Sequence, residues 1–180
     1  MRLDKEYMSA LVKLVLLSVI AAVVLGAVYI PTQVQLKIYQ EEQRQLALRE
    51  VMPGAVSFEQ VLSGEETLYY RALDENNNLI GYSFFRDQSG SQSVITVAGG
   101  IDTNYTITGI KIMTHAETPG LGAKIVEPWF SEQFKGVEES KLMLSKKGGA
   151  IDAITGASIS SQAVIDAIQY KINEIQEKEK

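Results

Sequence analysis

The sequence contains no cysteine and a single histidine, His115. Without cysteine the chain has no disulfide, no thiolate nucleophile and no cysteine ligands for an iron–sulfur cluster. One histidine rules out a histidine-rich metal site, and the carboxylates form no obvious cluster along the sequence. The sequence therefore excludes thiol chemistry, and we expect no metal centre.

Basic residues are also fewer than acidic residues. Lysine and arginine number 17 against 22 aspartate and glutamate residues, which gives a formal net charge of −5. Nucleic-acid-binding domains usually carry a basic patch, so we expect no nucleic-acid partner, and the mild acidity is typical of a soluble surface. The 180 residues allow one membrane segment and one modest globular domain.

An uncharged apolar stretch lies near the N-terminus. Residues 14–30 carry no charged side chain, and extending the stretch back by five positions adds only Lys13. A membrane-spanning helix needs roughly 20 apolar residues, with a lower limit near 17, and a lysine at its end can extend its ammonium to the interface. Tyr7 and Tyr29 lie at the two ends, where interfacial aromatic residues are typical. We predict a transmembrane helix over residues 9–30.

Two other interpretations of this stretch are weaker. A cleaved signal peptide has an apolar region of about 7–15 residues followed by a small-x-small cleavage site. The run here is longer, and residues 26–31, Gly-Ala-Val-Tyr-Ile-Pro, make a poor cleavage site. A helix that is apolar on every face, as this segment is, occurs in the core of a large protein or across a membrane, and a chain of 180 residues is too short for such a core. An uncleaved anchor is therefore favoured.

The basic residues around this segment indicate its orientation. Those nearest to the span precede or enter it: Arg2, Lys5 and Lys13. The basic residues after the span lie at a greater distance: Lys37, Arg44 and Arg49. By the positive-inside rule, we expect residues 1–8 in the cytoplasm and the chain after the span on the extracytoplasmic side.

A linker helix is predicted after the membrane segment. Pro31 ends the apolar pattern, and residues 34–51 are rich in glutamine, glutamate, leucine and alanine at near-helical spacing. The sequence Met-Pro-Gly at 52–54 ends this second pattern. We therefore divide the rest of the chain into a linker helix within residues 31–54 and a globular domain over residues 55–180.

The globular domain combines short strands with separate helices. Residues 68–73 and 79–85 flank the polar loop 74–78, which predicts a hairpin. The other predicted elements are strands over 94–98 and 105–113 separated by Gly99-Gly100, a short helix over 126–134, a short strand over 141–144, and a final helix opened by Ser160 and Ser161 with a fraying tail over 176–180. This arrangement predicts an α+β domain with antiparallel strands and flanking helices.

The first segment that could carry chemistry is residues 115–122, His-Ala-Glu-Thr-Pro-Gly-Leu-Gly, directly after a predicted strand. Its proline and glycines force an irregular loop and let other groups approach the backbone closely. From the residues alone a structural turn is the default interpretation. A lone His115 is likewise more often a hydrogen-bonded structural residue than a ligand.

The second segment is residues 152–161, where small and hydroxylated side chains crowd the start of the final helix. Free backbone N–H groups and the helix dipole make such a start a good phosphate site. N-capping by Ser160 or Ser161 would explain the same composition. The lysine that a Walker motif requires after the glycine is missing. Phosphate binding and capping are both open.

Together the two segments resemble the FMN-binding domain of the G subunit of the Rnf electron-transport complex. They are also similar to the C subunit of the sodium-translocating NADH:quinone oxidoreductase. The pattern His-x-Glu-Thr-Pro-Gly-Leu-Gly occupies residues 115–122, and the flavinylation pattern Asp-x-x-Ser/Thr-Gly-Ala-Ser/Thr occupies residues 152–158. The anchor and the domain order fit as well, so the resemblance covers nearly the whole chain.

The resemblance implies a covalent cofactor. FMN would be joined through its phosphate to Ser158, where the family more often has threonine and serine supplies the same alcohol oxygen. Further contacts to FMN would come from residues of both motifs: Thr155, Gly156, Ala157, Glu117, Thr118, Gly120 and Leu121. Lys146 and Lys147 are candidates for stabilising the reduced flavin or its phosphate.

The resemblance also implies a function and partners. The chain would carry electrons between ferredoxin and NAD within an ion-pumping complex, with the other Rnf subunits, membrane lipid and, during maturation, an FAD- and Mg²⁺-dependent flavin transferase as partners. No acid–base pair demands a catalytic role, so an electron carrier is expected rather than a self-sufficient enzyme. The alternatives are the C subunit of the quinone reductase, whose chains are usually longer, and an anchored flavin-binding sensory domain.

Overall fold

The structure is a computed structural model that describes residues 5–64 and 66–180. Arg2 and the start of the expected cytoplasmic segment lie outside the described residues. The chain divides into two compact units, Met1–Arg44 and Gln45–Lys180. The first unit contains the apolar segment, and the second contains all the strands.

Helix α1 runs over Lys5–Val51, so the anchor and linker helices expected separately are one helix that passes through Pro31. It contains an 18-residue window with a mean hydropathy of 2.7, none of it buried, which is long and apolar enough to cross a membrane. A proline costs one backbone hydrogen bond, but helices in an apolar environment tolerate it where nearby groups compensate. The Thr32 hydroxyl donates to the Val28 carbonyl at 2.7 Å beside this position.

A five-stranded antiparallel sheet forms the centre of the second unit, with the strands in sequence order. The strands are β1 Ser57–Ser63, β2 Glu66–Leu73, β3 Leu79–Ser89, β4 Val94–Asp102 and β5 Ile107–Thr114. The predicted α+β class and the β2–β3 hairpin are confirmed. Strand β1 is absent from the sequence prediction because it is a mostly exposed edge strand without a clear apolar alternation.

Gly99-Gly100 does not separate two strands, as the sequence suggested, but lies inside β4. The turn after β4 is instead fixed by Asp102, whose carboxylate accepts hydrogen bonds from the N–H groups of Asn104 and Thr106. Glycine serves close packing here, because a Cβ at Gly100 would collide with the Val51 carbonyl oxygen. The last turn of α1 can therefore lie directly on the sheet.

The two faces of the sheet are covered differently. One face packs against helix α3, Ser158–Lys178, in a continuous apolar core that includes Phe84 and Ile168. The other face carries the end of α1, where Ala47 and Val51 form a small cluster with Ala98. The principal core therefore lies between the sheet and α3, and it fixes the position at which α3 begins.

The segment between β5 and α3 is mostly irregular. Its regular pieces are 3₁₀ turns over Gly122–Val126, Glu139–Lys141 and Ser145–Lys147 and the short helix α2, Pro128–Glu132. The predicted helix over 126–134 is thus shorter than expected, because Pro128 fixes its start. The predicted strand over 141–144 is wrong, since only a single bridge between Leu144 and Ile151 forms there.

The C-terminal tail is held in place rather than frayed. Glu179 accepts hydrogen bonds from the Tyr69 hydroxyl at 2.5 Å and from the Arg71 guanidinium at 2.9 and 3.0 Å. These partners lie on β2, more than one hundred residues earlier in the chain, so no local pattern in residues 176–180 predicts the contact. Burial acts to raise the pKa of Glu179, but the hydrogen bonds from Tyr69 and Arg71 and the charge of Arg71 outweigh it and lower the pKa.

Candidate functional site

The first motif forms a loop around a buried carboxylate. Glu117 is 4% exposed. Its Oε1 accepts hydrogen bonds from the N–H groups of Gln92 and Ser93 and from the Ser93 hydroxyl, each at 3.0 Å. Its Oε2 accepts from the Ser91 N–H at 3.3 Å and from the Ser160 hydroxyl at 2.6 Å. This one side chain therefore joins the turn between β3 and β4 to the start of α3.

The hydrogen bonds also hold Glu117 ionised. Burial alone would raise the pKa of the carboxyl group, but the donors from Ser160, Gln92 and Ser93 outweigh it and lower the pKa to about 2. The side chain is consequently an internal anchor, with both oxygens engaged by the protein. A contact between Glu117 and FMN stays a prediction, and the inward-facing carboxylate does not support it.

The rest of this loop is arranged around that anchor. His115 Nδ1 accepts a hydrogen bond from the Glu117 N–H at 3.2 Å, which is compatible with the structural role that its isolation suggested. The Thr118 carbonyl accepts from the N–H groups of Leu121 and Ala123 at 3.2 and 3.1 Å, which closes the turn through Gly120. This leaves the Leu121 side chain 45% exposed at the rim of the loop.

The second motif forms a tight turn into α3. Ser161 is buried, and its hydroxyl accepts a hydrogen bond from the Ile154 N–H and donates to the Ala157 carbonyl, each at 3.0 Å. The turn between these residues contains Gly156 at φ +80°, a backbone conformation that favours glycine. Thr155 on the same turn is exposed, whereas Ala157 is buried.

Ser160 and Ser161 are not N-caps, in contrast to the prediction. The N-cap residue of α3 is Ala157, and among the described residues no side chain caps this helix. Both serines lie inside the helix and turn their hydroxyls towards buried partners: the Glu117 carboxylate and the Ala157 carbonyl. The first backbone N–H groups of the helix are thus left for another partner.

Ser158 is the first residue of α3 rather than the residue just outside it. It is exposed and lines an open groove of about 350 Å³, together with the apolar side chains of Leu144 and Ile159 and the cation Lys147. A hydroxyl at the first helical position lies beside the free N–H groups of the helix start. Ser158 therefore combines access from solvent with a local field that favours an anion.

The two motifs meet in the folded chain. A Cβ built on Gly156 would lie 3.0 Å from Leu121 Cδ2, so the side chain of the first motif rests on the turn of the second. Beneath this contact the Ser160 hydroxyl donates to Glu117. Sequence reasoning did not find the turn at 91–93, because three of its four donors to Glu117 are backbone N–H groups, which leave no residue-specific signal.

Comparison with known proteins identifies the matching family for this region. Residues 90–173 match the family described as FMN-binding domain, and this range contains both motifs. Among solved structures, the crystal structure of NqrC from Shewanella oneidensis is similar with a TM-score of 0.49 and 18% identity, and the match covers 69% of this chain and 72% of that one.

Relatives that match along most of their length carry consistent names. The G subunit of the ion-translocating oxidoreductase complex of Methanosarcina acetivorans is 42% identical over 184 residues, and the match covers 98% of both chains. The G subunit of the Na⁺-translocating ferredoxin:NAD⁺ oxidoreductase complex of Acetobacterium woodii is 30% identical, and the match covers 88% of this chain and 86% of that one. The chain therefore belongs to the family of G subunits of ion-translocating oxidoreductase complexes.

Proposed function

We propose that this chain is the membrane-anchored FMN subunit of an ion-translocating ferredoxin:NAD oxidoreductase complex, in which it transfers electrons together with the other subunits. The observation that carries the proposal is the full-length similarity to the G subunits, with both motifs joined at one surface. The same similarity favours a G subunit over the C subunit of the quinone reductase and over a separate sensory domain.

The residues at this surface fit FMN. The exposed apolar side chain of Ile159 lines the groove with Ser158, and the half-exposed Leu121 rests on the turn at Gly156, two residues before Ser158. The uncapped N–H groups at the start of α3 lie in the same region. An amphipathic flavin phosphate needs this combination of apolar surface and anion-binding donors. FMN supplies the electron-transfer chemistry when bound, and the protein supplies position and electrostatics. Thr118 and Gly120, on the same loop as Leu121, are further proposed contacts to FMN.

We place the covalent attachment at Ser158. Four hydroxyl residues lie at the start of α3, and the fold separates them by access: Ser160 and Ser161 are buried and bonded internally. Of the exposed pair, Ser158 borders the groove and begins the helix, whereas Thr155 lies on the preceding turn and is not part of the groove lining. A transferase can therefore reach Ser158 without unfolding the helix.

The attachment is a phosphoryl transfer from FAD. The Ser158 Oγ forms a bond to the phosphorus of the FMN half, the pyrophosphate bond of FAD breaks, and AMP leaves. The serine proton is taken up by a base of the flavin transferase or by solvent. The resulting phosphodiester keeps the carrier from losing its cofactor between electron transfers.

The proposed topology follows from the apolar segment of α1. Residues 9–30 span the membrane in contact with lipid, residues 1–8 lie in the cytoplasm, and the domain over 55–180 lies on the extracytoplasmic side. Fusion of reporters after Lys180 tests this arrangement. We expect activity from an exported reporter alone, and strong activity from a cytoplasm-only reporter would reverse the orientation. Extraction of the chain by high salt without detergent would contradict the anchor.

The function itself is tested in membranes of the native host. Deletion of the gene should abolish ferredoxin-dependent NAD reduction by those membranes, and the parent gene should restore it. The Ser158→Ala variant should assemble with the other subunits, as judged by co-purification, but should not restore activity. Full activity of membranes that lack the chain would contradict the assignment to the complex.

A further inference from the structure

One side of the groove beside Ser158 carries a fixed cation. Among the residues that line it, Lys147 is the one basic side chain, whereas its neighbour Lys146 is not part of the lining. Lys147 ends a 3₁₀ turn that Gly148 closes in a left-handed conformation. The turn is tied back to the chain leading into α3, because the Ser145 N–H donates to the Ile151 carbonyl at 2.7 Å. The backbone therefore positions Lys147 and not Lys146 towards the attachment helix.

The ammonium of Lys147 is also oriented by a side chain on α3. Its Nζ donates to Gln162 Oε1 at 3.2 Å, and Gln162 Nε2 donates to Asp166 Oδ1 at 2.8 Å. Residues four apart on a helix lie on the same side, so Gln162 lies one turn from Ser158 and Asp166 one turn farther. Asp166 lines the groove as well, so the Gln162 amide joins one cation and one carboxylate on this side of the groove.

We propose that Lys147 is a binding residue for the phosphodiester that tethers FMN at Ser158. The proposal rests on the attachment proposed above and assigns the charge partner of that bond. A phosphodiester carries one negative charge, the free N–H groups of α3 supply neutral donors, and Lys147 supplies the compensating cation. The hydrogen bond to Gln162 keeps the ammonium beside the groove before FMN arrives.

The test compares Lys147→Gln with Lys146→Gln as a matched control and Lys147→Arg as a rescue, all in the full chain in detergent. With purified transferase, FAD and Mg²⁺, we expect Lys147→Gln to slow flavinylation about tenfold, the loss of one charge-assisted contact. The flavinylation rate of Lys146→Gln should stay within about twofold of the parent rate, because Lys147 is still present. Lys147→Arg should recover most of the rate, because arginine keeps a cation in the groove.

A second readout separates contact with the phosphate from recognition by the transferase. After complete flavinylation, the ³¹P chemical shift of the attached FMN should change in Lys147→Gln and not in Lys146→Gln. The gain in melting temperature on flavinylation should be smaller in Lys147→Gln alone. An unchanged ³¹P shift and melting gain in Lys147→Gln would overturn the role of Lys147 while leaving the attachment intact. A parent chain that acquires no FMN would overturn the attachment and this proposal with it.

Discussion

The two motifs differ in where their polar groups point. The first motif turns its carboxylate inwards, so that Glu117 is buried and every bond it makes is to the protein. The second motif presents Ser158 to the groove, while the next two serines are buried. The polar residues of the two motifs therefore have different roles: the buried Glu117 fixes the start of α3, and the exposed Ser158 is available for the proposed attachment.

Removal of the anchor should have the largest effect on stability. Glu117→Ala leaves the N–H groups of the 91–93 turn and the buried Ser160 hydroxyl without their acceptor, and we expect it to lower the free energy of unfolding by about 3 kcal/mol. Urea unfolding of the domain in detergent measures this. Glu177→Ala, on the exposed side of α3, serves as the control and should change stability by less than about 0.5 kcal/mol. Equal effects of the two substitutions would show that Glu117 is not an anchor.

Acid should act on the same anchor. Because the pKa of Glu117 is lowered to about 2 in the folded chain, its contribution to stability is present above the ordinary carboxyl pKa of 4.5. That contribution is lost as the pH falls from about 4.5 towards 2. We expect the free energy of unfolding to fall by on the order of 2–3 kcal/mol over this range. The parent and Glu117→Gln should therefore converge in stability as the pH is lowered through this window. A constant difference between them would contradict the lowered pKa.

The buried and exposed serines of the second motif should differ in their effects on stability. Ser161→Ala removes a buried hydroxyl and leaves the Ile154 N–H without its acceptor, so we expect a loss of about 2 kcal/mol. Ser158→Ala removes an exposed hydroxyl and should change stability by less than about 0.5 kcal/mol. Thermal unfolding of both variants without flavin checks this order. The reverse order would mean that Ser158 is the structural serine of the pair.

A substitution at the rim of the site should change stability little but should change the properties of the bound flavin clearly. Leu121→Asp places a charge at a half-exposed position, and we expect less than about 1 kcal/mol of destabilisation and unimpaired attachment. A charge beside an apolar ring face is costly to desolvate, so the visible spectrum and midpoint potential should shift. Leu62→Asp, at an exposed position on β1, is the control. A folded Leu121→Asp variant with an unchanged spectrum and potential would place the flavin elsewhere.

Local patterns predicted the parts of this molecule that depend on neighbouring residues. The apolar run, the hairpin around the 74–78 loop and the start of a helix near Ser160 are visible in the sequence for that reason. The burial of Ser160 and Ser161 depends on Glu117 and on the turn before Ala157, so composition alone suggested caps instead. The glycines of β4 were misinterpreted in the same way, since Gly100 packs against the end of α1, about fifty residues earlier in the chain, and Gly99 packs against Phe84 of β3.

Peptide mapping of flavinylated protein is the direct test of the proposed covalent bond between FMN and Ser158. The chain, produced with its flavin transferase, should gain the mass of FMN less one water, and its band should fluoresce on a denaturing gel. Ser158→Ala should lose both signals while it stays folded, and Ser158→Thr and Thr155→Ala should keep them. We predict that the modified peptide carries the flavin on Ser158. Flavin found on Thr155, Ser160 or Ser161 would contradict the attachment at Ser158. Flavin that is released entirely on denaturation would contradict a covalent bond.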